Sequence, residues 1–175
     1  VSSVSTADQS SVVVSFTGRY PALAKNVLAA VAACSQVPGI RLHLPEAALH
    51  GKRGFAVREL LRDVDHVVHP QLPRTEVKAL LASAALVVHP SLSDTWPFVT
   101  LEAIYAGTPV LASSSVGWSR LVRGDARRWG ILQSPVDTVR LRNRVQRLLS
   151  DHELLETVWS GEVAALSLAH RRNRE

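Results

Sequence analysis

The chain of 175 residues has no methionine, one cysteine and only nine aromatic side chains. With Cys34 alone, no disulfide can close within the chain, which excludes a disulfide-stapled scaffold and fits a reducing cytoplasm. Cys34 ends the helical pattern Asn26-Val27-Leu28-Ala29-Ala30-Val31-Ala32-Ala33-Cys34, where a small buried thiol is the plain reading. No apolar run approaches the roughly 18 residues needed to span a bilayer, and the opening Val-Ser-Ser-Val-Ser-Thr-Ala-Asp-Gln-Ser is too polar for a signal peptide. A cytoplasmic protein is expected, free or peripheral to a membrane. The lack of methionine even at position 1 suggests a chain cut from something longer, so a missing N-terminal partner domain is also expected. Neither a His-Glu-x-x-His pattern nor Cys-His zinc spacing occurs, so no metal is expected. The absence of Gly-x-Gly-x-x-Gly and Walker-type loops argues against a dinucleotide oxidoreductase or an NTPase, and no cofactor is expected.

What is present is ordinary for one globular domain, with 46% hydrophobic and 20% charged residues. A domain of this length buries roughly 70% of the surface of its unfolded chain. The net charge of +5 and the pI near 10.1 suggest a polyanionic partner, which leaves nucleotide sugars, anionic lipids and nucleic acid open. Arg120, Arg123, Arg127 and Arg128, and Arg140, Arg142, Arg144 and Arg147, read most simply as solvated helix faces. The sharper reading is contact with an anionic membrane surface. The scarcity of aromatics and the lack of an arginine-aromatic motif argue against nucleic acid.

Short β-branched runs alternate with helical stretches, the pattern of an α/β fold in which helices cover both faces of a parallel sheet. Residues 1–10 read as a flexible segment and 11–175 as the domain. Strands are expected at 11–16, 40–44, 64–69, 85–89, 109–113 and 129–133. Helices are expected at 25–36, 55–62, 74–83 and 97–106, briefly near Arg120, and at 137–149 and 152–170. Ligands of such sheets lie beyond the carboxyl ends of the strands, which directs attention to the loops after Phe16, His69, His89 and Ser113. His69 and His89, each followed by proline, are candidates to line a nucleotide site, although turn formation explains the prolines equally well.

The stretch Ser91-Leu92-Ser93-Asp94-Thr95-Trp96-Pro97-Phe98-Val99-Thr100-Leu101-Glu102-Ala103 leaves a strand end, turns and enters a helix. Free N–H groups in the first helical turn make such a terminus an anion site. Pro97 suits that turn because its missing N–H has no intrahelical partner to lose, which leaves Phe98, Val99 and Thr100 as candidates for phosphate contact. Glu102, about one turn further in, could accept two hydrogen bonds from a ribose diol.

This stretch resembles glycosyltransferase family 4, whose hallmark is two acidic residues separated by seven others, then a helix, Gly-x-Pro and a strand. Asp94, Glu102, Gly107, Pro109 and Val110-Leu111-Ala112-Ser113 fit that frame, as does the preceding His89-Pro90-Ser91. The resemblance implies the C-terminal, donor-binding half of a GT-B fold, with a Rossmann-like sheet and the acceptor on an N-terminal domain. It assigns the nucleotide ribose to Glu102 and the transferred sugar to Asp94. In Phe16-Thr17-Gly18-Arg19-Tyr20-Pro21-Ala22-Leu23-Ala24-Lys25 it assigns the diphosphate clamp to Arg19 and Lys25, with Gly18 in the same loop. The implied activity is retaining, metal-independent transfer from a UDP-, GDP- or ADP-sugar. The chain departs from the family in having Asp where the first acid is usually Glu, Trp96-Pro97-Phe98 where small glycines are usual, and Val116-Gly117-Trp118 where paired glycines are frequent. A module that keeps the fold without transfer is the alternative expectation.

Overall fold

The computed structural model describes residues 8–14 and 22–172. Six strands form one parallel sheet: β1 (Asp8–Val14), β2 (Arg41–Pro45), β3 (His66–His69), β4 (Ala84–His89), β5 (Val110–Ser113) and β6 (Ile131–Leu132). Their spatial order is β3-β2-β1-β4-β5-β6. The chain therefore builds outward from β1 in one direction and then returns to start β4 on its other side. The reversal leaves a crevice beyond the carboxyl ends of β1 and β4. The register runs through Val12, which is opposite Leu42 on β2 and Leu86 on β4.

Alternation along each strand sorts the apolar side chains into two cores. Val12, Val14, Leu42, Leu44, Leu86, Val88, Leu111 and Leu132 face α2 (Val27–Cys34), α3 (Gly51–Leu60) and α7 (Thr138–Ser150). Val13, Val87, Val110, Ala112 and Ile131 face α4 (Arg74–Ser83), α5 (Phe98–Tyr105), α6 (Gly124–Gly130) and α8 (His152–Arg172). Both faces are covered, so β4 is buried at every position. Cys34 lies in the first core, where burial pushes its thiol up to about 12.

Several local details differ from the sequence reading. β1 opens at Asp8, three residues before the strand expected at Ser11 and inside the segment expected to be flexible. The helix expected over 25–36 is two pieces, α1 (Ala22–Lys25) and α2, because Asn26 adopts a left-handed conformation with φ 54°. Such a residue ends one helix and re-aims the next; asparagine tolerates the conformation best after glycine. Trp129 and Gly130, expected in the last strand, close α6 instead, and β6 is only Ile131–Leu132. β3 begins at His66 rather than Val64, whose N–H is held by the Leu61 carbonyl at 3.1 Å in the turn after α3.

The end of α5 is set by Gly107, at φ 93°. Its N–H donates to the Ile104 carbonyl at 3.2 Å, and that of Thr108 reaches back to Ala103 at 3.0 Å. This paired closure needs a left-handed residue, and it turns the chain directly into β5.

Candidate donor site

The loop between β4 and α5 is stapled at both ends. The Ser91 hydroxyl reaches the Ala24 carbonyl at 2.9 Å, and the Leu92 N–H donates to the same carbonyl at 2.8 Å. From the other side, the Ser113 hydroxyl donates to the Ser91 carbonyl at 2.5 Å. Asp94 then forms a parallel bridge with Val116 in the loop after β5, and its carbonyl accepts the Gly117 N–H at 3.1 Å. Gly117 allows this close approach, since a Cβ there would stand 2.2 Å from the Thr95 carbonyl oxygen. The staple to Ala24 brings the neighbouring Lys25 against Asp94.

Three side chains meet at that point. Lys25 Nζ forms an ion pair with Asp94 Oδ2, and His89 Nε2 lies 3.1 Å from the same oxygen. Lys25 and Asp94 expose only 13% and 12% of their side chains, and His89 is fully buried. Burial by itself raises the Asp94 pKa, but the hydrogen bonds from His89 and Lys25 and the Lys25 charge outweigh it, so the net shift is downward. His89 shifts down because burial and the Lys25 charge outweigh the pull of Asp94. A neutral His89 therefore donates through Nε2 to an ionised Asp94, which sets its tautomer.

α5 starts beside this cluster with no side-chain cap at Pro97. Thr100 is turned inward: its N–H donates to the Pro97 carbonyl at 3.1 Å, its hydroxyl donates to the same carbonyl at 2.8 Å and accepts Trp118 Nε1–H at 2.9 Å. The N–H groups of Phe98 and Val99 precede the first intrahelical bond and face the crevice end of the helix. The Val99 side chain is buried, whereas Phe98 is 76% exposed. Further along the helix, Glu102 Oε1 accepts from Arg74 Nε at 2.8 Å and Nη2 at 2.7 Å. Among the described residues, no group of three or more His, Cys, Asp or Glu side chains converges as metal ligands would.

Residues 11–151 match the family described as glycosyl transferases group 1. The chain belongs to that family. Its relatives include the lipopolysaccharide glucosyltransferase WaaG of Escherichia coli (strain K12), 32% identical over 53% of this chain and 24% of that protein. Another is the D-inositol 3-phosphate glycosyltransferase of Paenarthrobacter aurescens (strain TC1), 31% identical over 71% of this chain and 34% of that protein. The chain thus spans about a third or less of these curated relatives. The crystal structure of Anabaena Alr3699/HepE in complex with UDP and glucose superposes with a TM-score of 0.70 over 89% of this chain and 43% of that one, at 20% identity. The likeness is one of fold, the Rossmann-like half of a GT-B protein.

In this group 1 member the structure unites Lys25 and Asp94, 69 positions apart, and adds His89. Gly18 and Arg19 lie outside the described residues. His69 closes β3, separated from β4 by β2 and β1, and its Nε2 lies 2.9 Å from His43 Nδ1 with the rings stacked. Burial lowers the His69 pKa. Arg74 was not singled out by sequence reasoning: nothing in the pattern links it to Glu102, 28 positions away. The signal for His89 was its place at a strand end before Pro90, shared with His69. No helix among the described residues is long and apolar enough to cross a membrane.

Proposed function

We propose that the chain is the donor-binding half of a retaining glycosyltransferase that takes a nucleoside diphosphate sugar, without a metal, and transfers the sugar to an acceptor held on an N-terminal domain. The observation that carries this reading is the Lys25–Asp94–His89 cluster placed beside the N-terminal end of α5, with Glu102 on the same helix. Family membership supports it, as do the UDP and glucose named with the HepE structure and the transferase names of the relatives.

The ribose diol is assigned to Glu102, whose Arg74 partner is 74% exposed and so is free to share or yield the carboxylate. The diphosphate is assigned to the Phe98 and Val99 N–H groups, to Lys25 and, from the resemblance, to Arg19 with Gly18. As the glycosidic bond breaks, its electron pair leaves with the phosphate oxygen, and fixed N–H dipoles and cations stabilise the growing charge. Asp94, kept ionised and oriented by Lys25 and His89, accepts hydrogen bonds from sugar hydroxyls. Catalysis is then mainly positioning and leaving-group stabilisation.

Calorimetric titration with UDP, GDP, ADP and their glucose conjugates tests the reading. One nucleotide series should bind, and Glu102→Ala should weaken it at least tenfold, about 1.4 kcal/mol. Absence of binding throughout the series, or an affinity untouched by both Glu102→Ala and Lys25→Ala, would overturn it.

A further inference from the structure

A second concentration of charge lies away from the donor site, beside the edge strand β6. α7 presents Arg140, Arg144 and Arg147, spaced by four and three so that they share one face, and the end of α6 delivers Arg128 and Trp129 to the same place. Together with Asn143 they line an open cavity of about 370 Å3. No carboxylate is among the lining residues.

The four guanidinium groups are incompletely compensated. Arg140 is 3.6 Å from Asp137 and Arg147 is 2.7 Å from Asp151, both along the same helix and more than half exposed. Among the described residues Arg144 has no carboxylate partner: its Nη1 donates to the Ile131 carbonyl at 2.5 Å. Arg128 rests over the Trp129 ring, 5.5 Å from its centroid. Burial lowers the pKa of Arg144, and the charge of Arg140 adds to the effect, as expected where cations crowd.

We propose that this cavity binds a phosphate-bearing ligand, with Arg140, Arg144 and Arg147 gripping the phosphate oxygens and Trp129 walling the organic part. A guanidinium offers five N–H donors in a planar fork, so Arg144 retains donors after its one bond to Ile131. A tetrahedral phosphate presents several terminal oxygens to donors converging from different directions, which suits three arginines better than the two coplanar oxygens of a carboxylate. Trp129 and Gly130 lead into β6 at its N-terminal end, whereas the donor-site loops follow the C-terminal ends of β1, β4 and β5. No residue lining this cavity belongs to the Lys25–Asp94–His89 cluster or to α5.

The phosphate can belong to a soluble metabolite or to a lipid headgroup, and two probes distinguish them. The chain is titrated with sn-glycerol 3-phosphate by calorimetry, and its cosedimentation with phosphatidylglycerol-containing vesicles is measured in parallel. The Arg140→Gln/Arg147→Gln double variant alters exposed side chains only, and Arg120→Gln, an exposed arginine outside the cavity, serves as the charge control. The double variant should weaken binding at least about tenfold, whereas Arg120→Gln should change it by less than about twofold. Arginine-dependent binding of glycerol phosphate alone identifies a soluble ligand, and arginine-dependent binding of vesicles identifies a headgroup. If neither probe binds, or if Arg120→Gln weakens binding as much as the double variant, the proposal is overturned.

Discussion

Asp94 and Glu162 are both set into the protein, one beyond the carboxyl ends of the strands and the other at the start of β5, yet their environments push their pKa values in opposite directions. Asp94, 12% exposed, faces Lys25 and His89 and is held ionised. Glu162 on α8 is fully buried, and its partner among the described residues is the Val110 N–H, at 3.1 and 3.3 Å from the two carboxyl oxygens. Burial raises its pKa well above the ordinary 4.5, and that single backbone hydrogen bond only partly counters the shift. A buried carboxylate keeps its charge where a cation and further donors are built around it; one dipole is not enough. The first arrangement suits a site that must act on a ligand, the second a strut between α8 and the sheet.

The largest effect expected from breaking this contrast is that of Lys25→Ala, which strands Asp94 with the neutral His89. Loss of one partner from a fully buried pair costs about 3–5 kcal/mol, and the remaining exposure here reduces the expectation to about 2 kcal/mol. The measurement is the urea midpoint at unchanged slope; an unmoved midpoint would mean that solvent already screens the pair. Gly117→Ala should come next, at about 1–2 kcal/mol, because the new Cβ meets backbone that cannot rotate away. It should also weaken nucleotide binding by shifting Asp94, and a variant that loses stability yet binds normally would separate the loop from the site.

Glu162→Gln sharpens the other side of the comparison. Above pH 4.5 the unfolded chain releases the Glu162 proton while the folded protein retains it. This contribution to stability is therefore complete below 4.5 and is lost as pH rises toward the folded pKa. Asp94 runs the opposite way: its contribution is present above 3.8 and is lost as pH falls through its depressed folded value. Glutamine cannot ionise, so the variant should gain on the wild type between pH 5 and pH 8, by about 1 kcal/mol or more. Urea curves at the two pH values decide, and a gap that does not widen with pH would mean that Glu162 is ionised in the fold. The smallest effect belongs to Phe98→Ala, within about 0.5 kcal/mol, because the ring is 76% exposed. An unfolding midpoint shifted beyond that range would assign Phe98 a structural contact.

Much of this was legible from local pattern. β-branched runs bounded by turns marked the strands, and Gly107-Thr108-Pro109 marked the closure of α5, because both follow from backbone sterics and side-chain alternation. α6 was missed because Gly-Asp-Ala-Arg-Arg-Trp-Gly is short and lacks a clear apolar period. Its place is decided by packing on α8, where Gly161 lets the Ala126 side chain approach so closely that a Cβ would stand 2.2 Å from it. The break at Asn26 was invisible for a similar reason. Ala24, Lys25, Leu28 and Ala29 around it are good helix formers, and the left-handed turn accompanies a tertiary bond from the Asn26 amide to the Pro135 carbonyl at 2.6 Å.

Local chemistry along the chain sets the α/β class, the residue types offered to the candidate donor site, and the spacing that places Asp94 before α5 and Glu102 within it. These are properties of neighbouring residues, set by chirality, alternation and helical period. Which groups meet is set by the packed fold: the Ala24 carbonyl anchors the loop after β4 and carries Lys25 to Asp94, Arg74 sits on Glu102, and Thr100 turns inward to Trp118. The fold also decides which acids keep their charge. Burial and pairing depend on chain segments tens of residues apart, and a carboxylate's protonation state is set by what the fold packs around it.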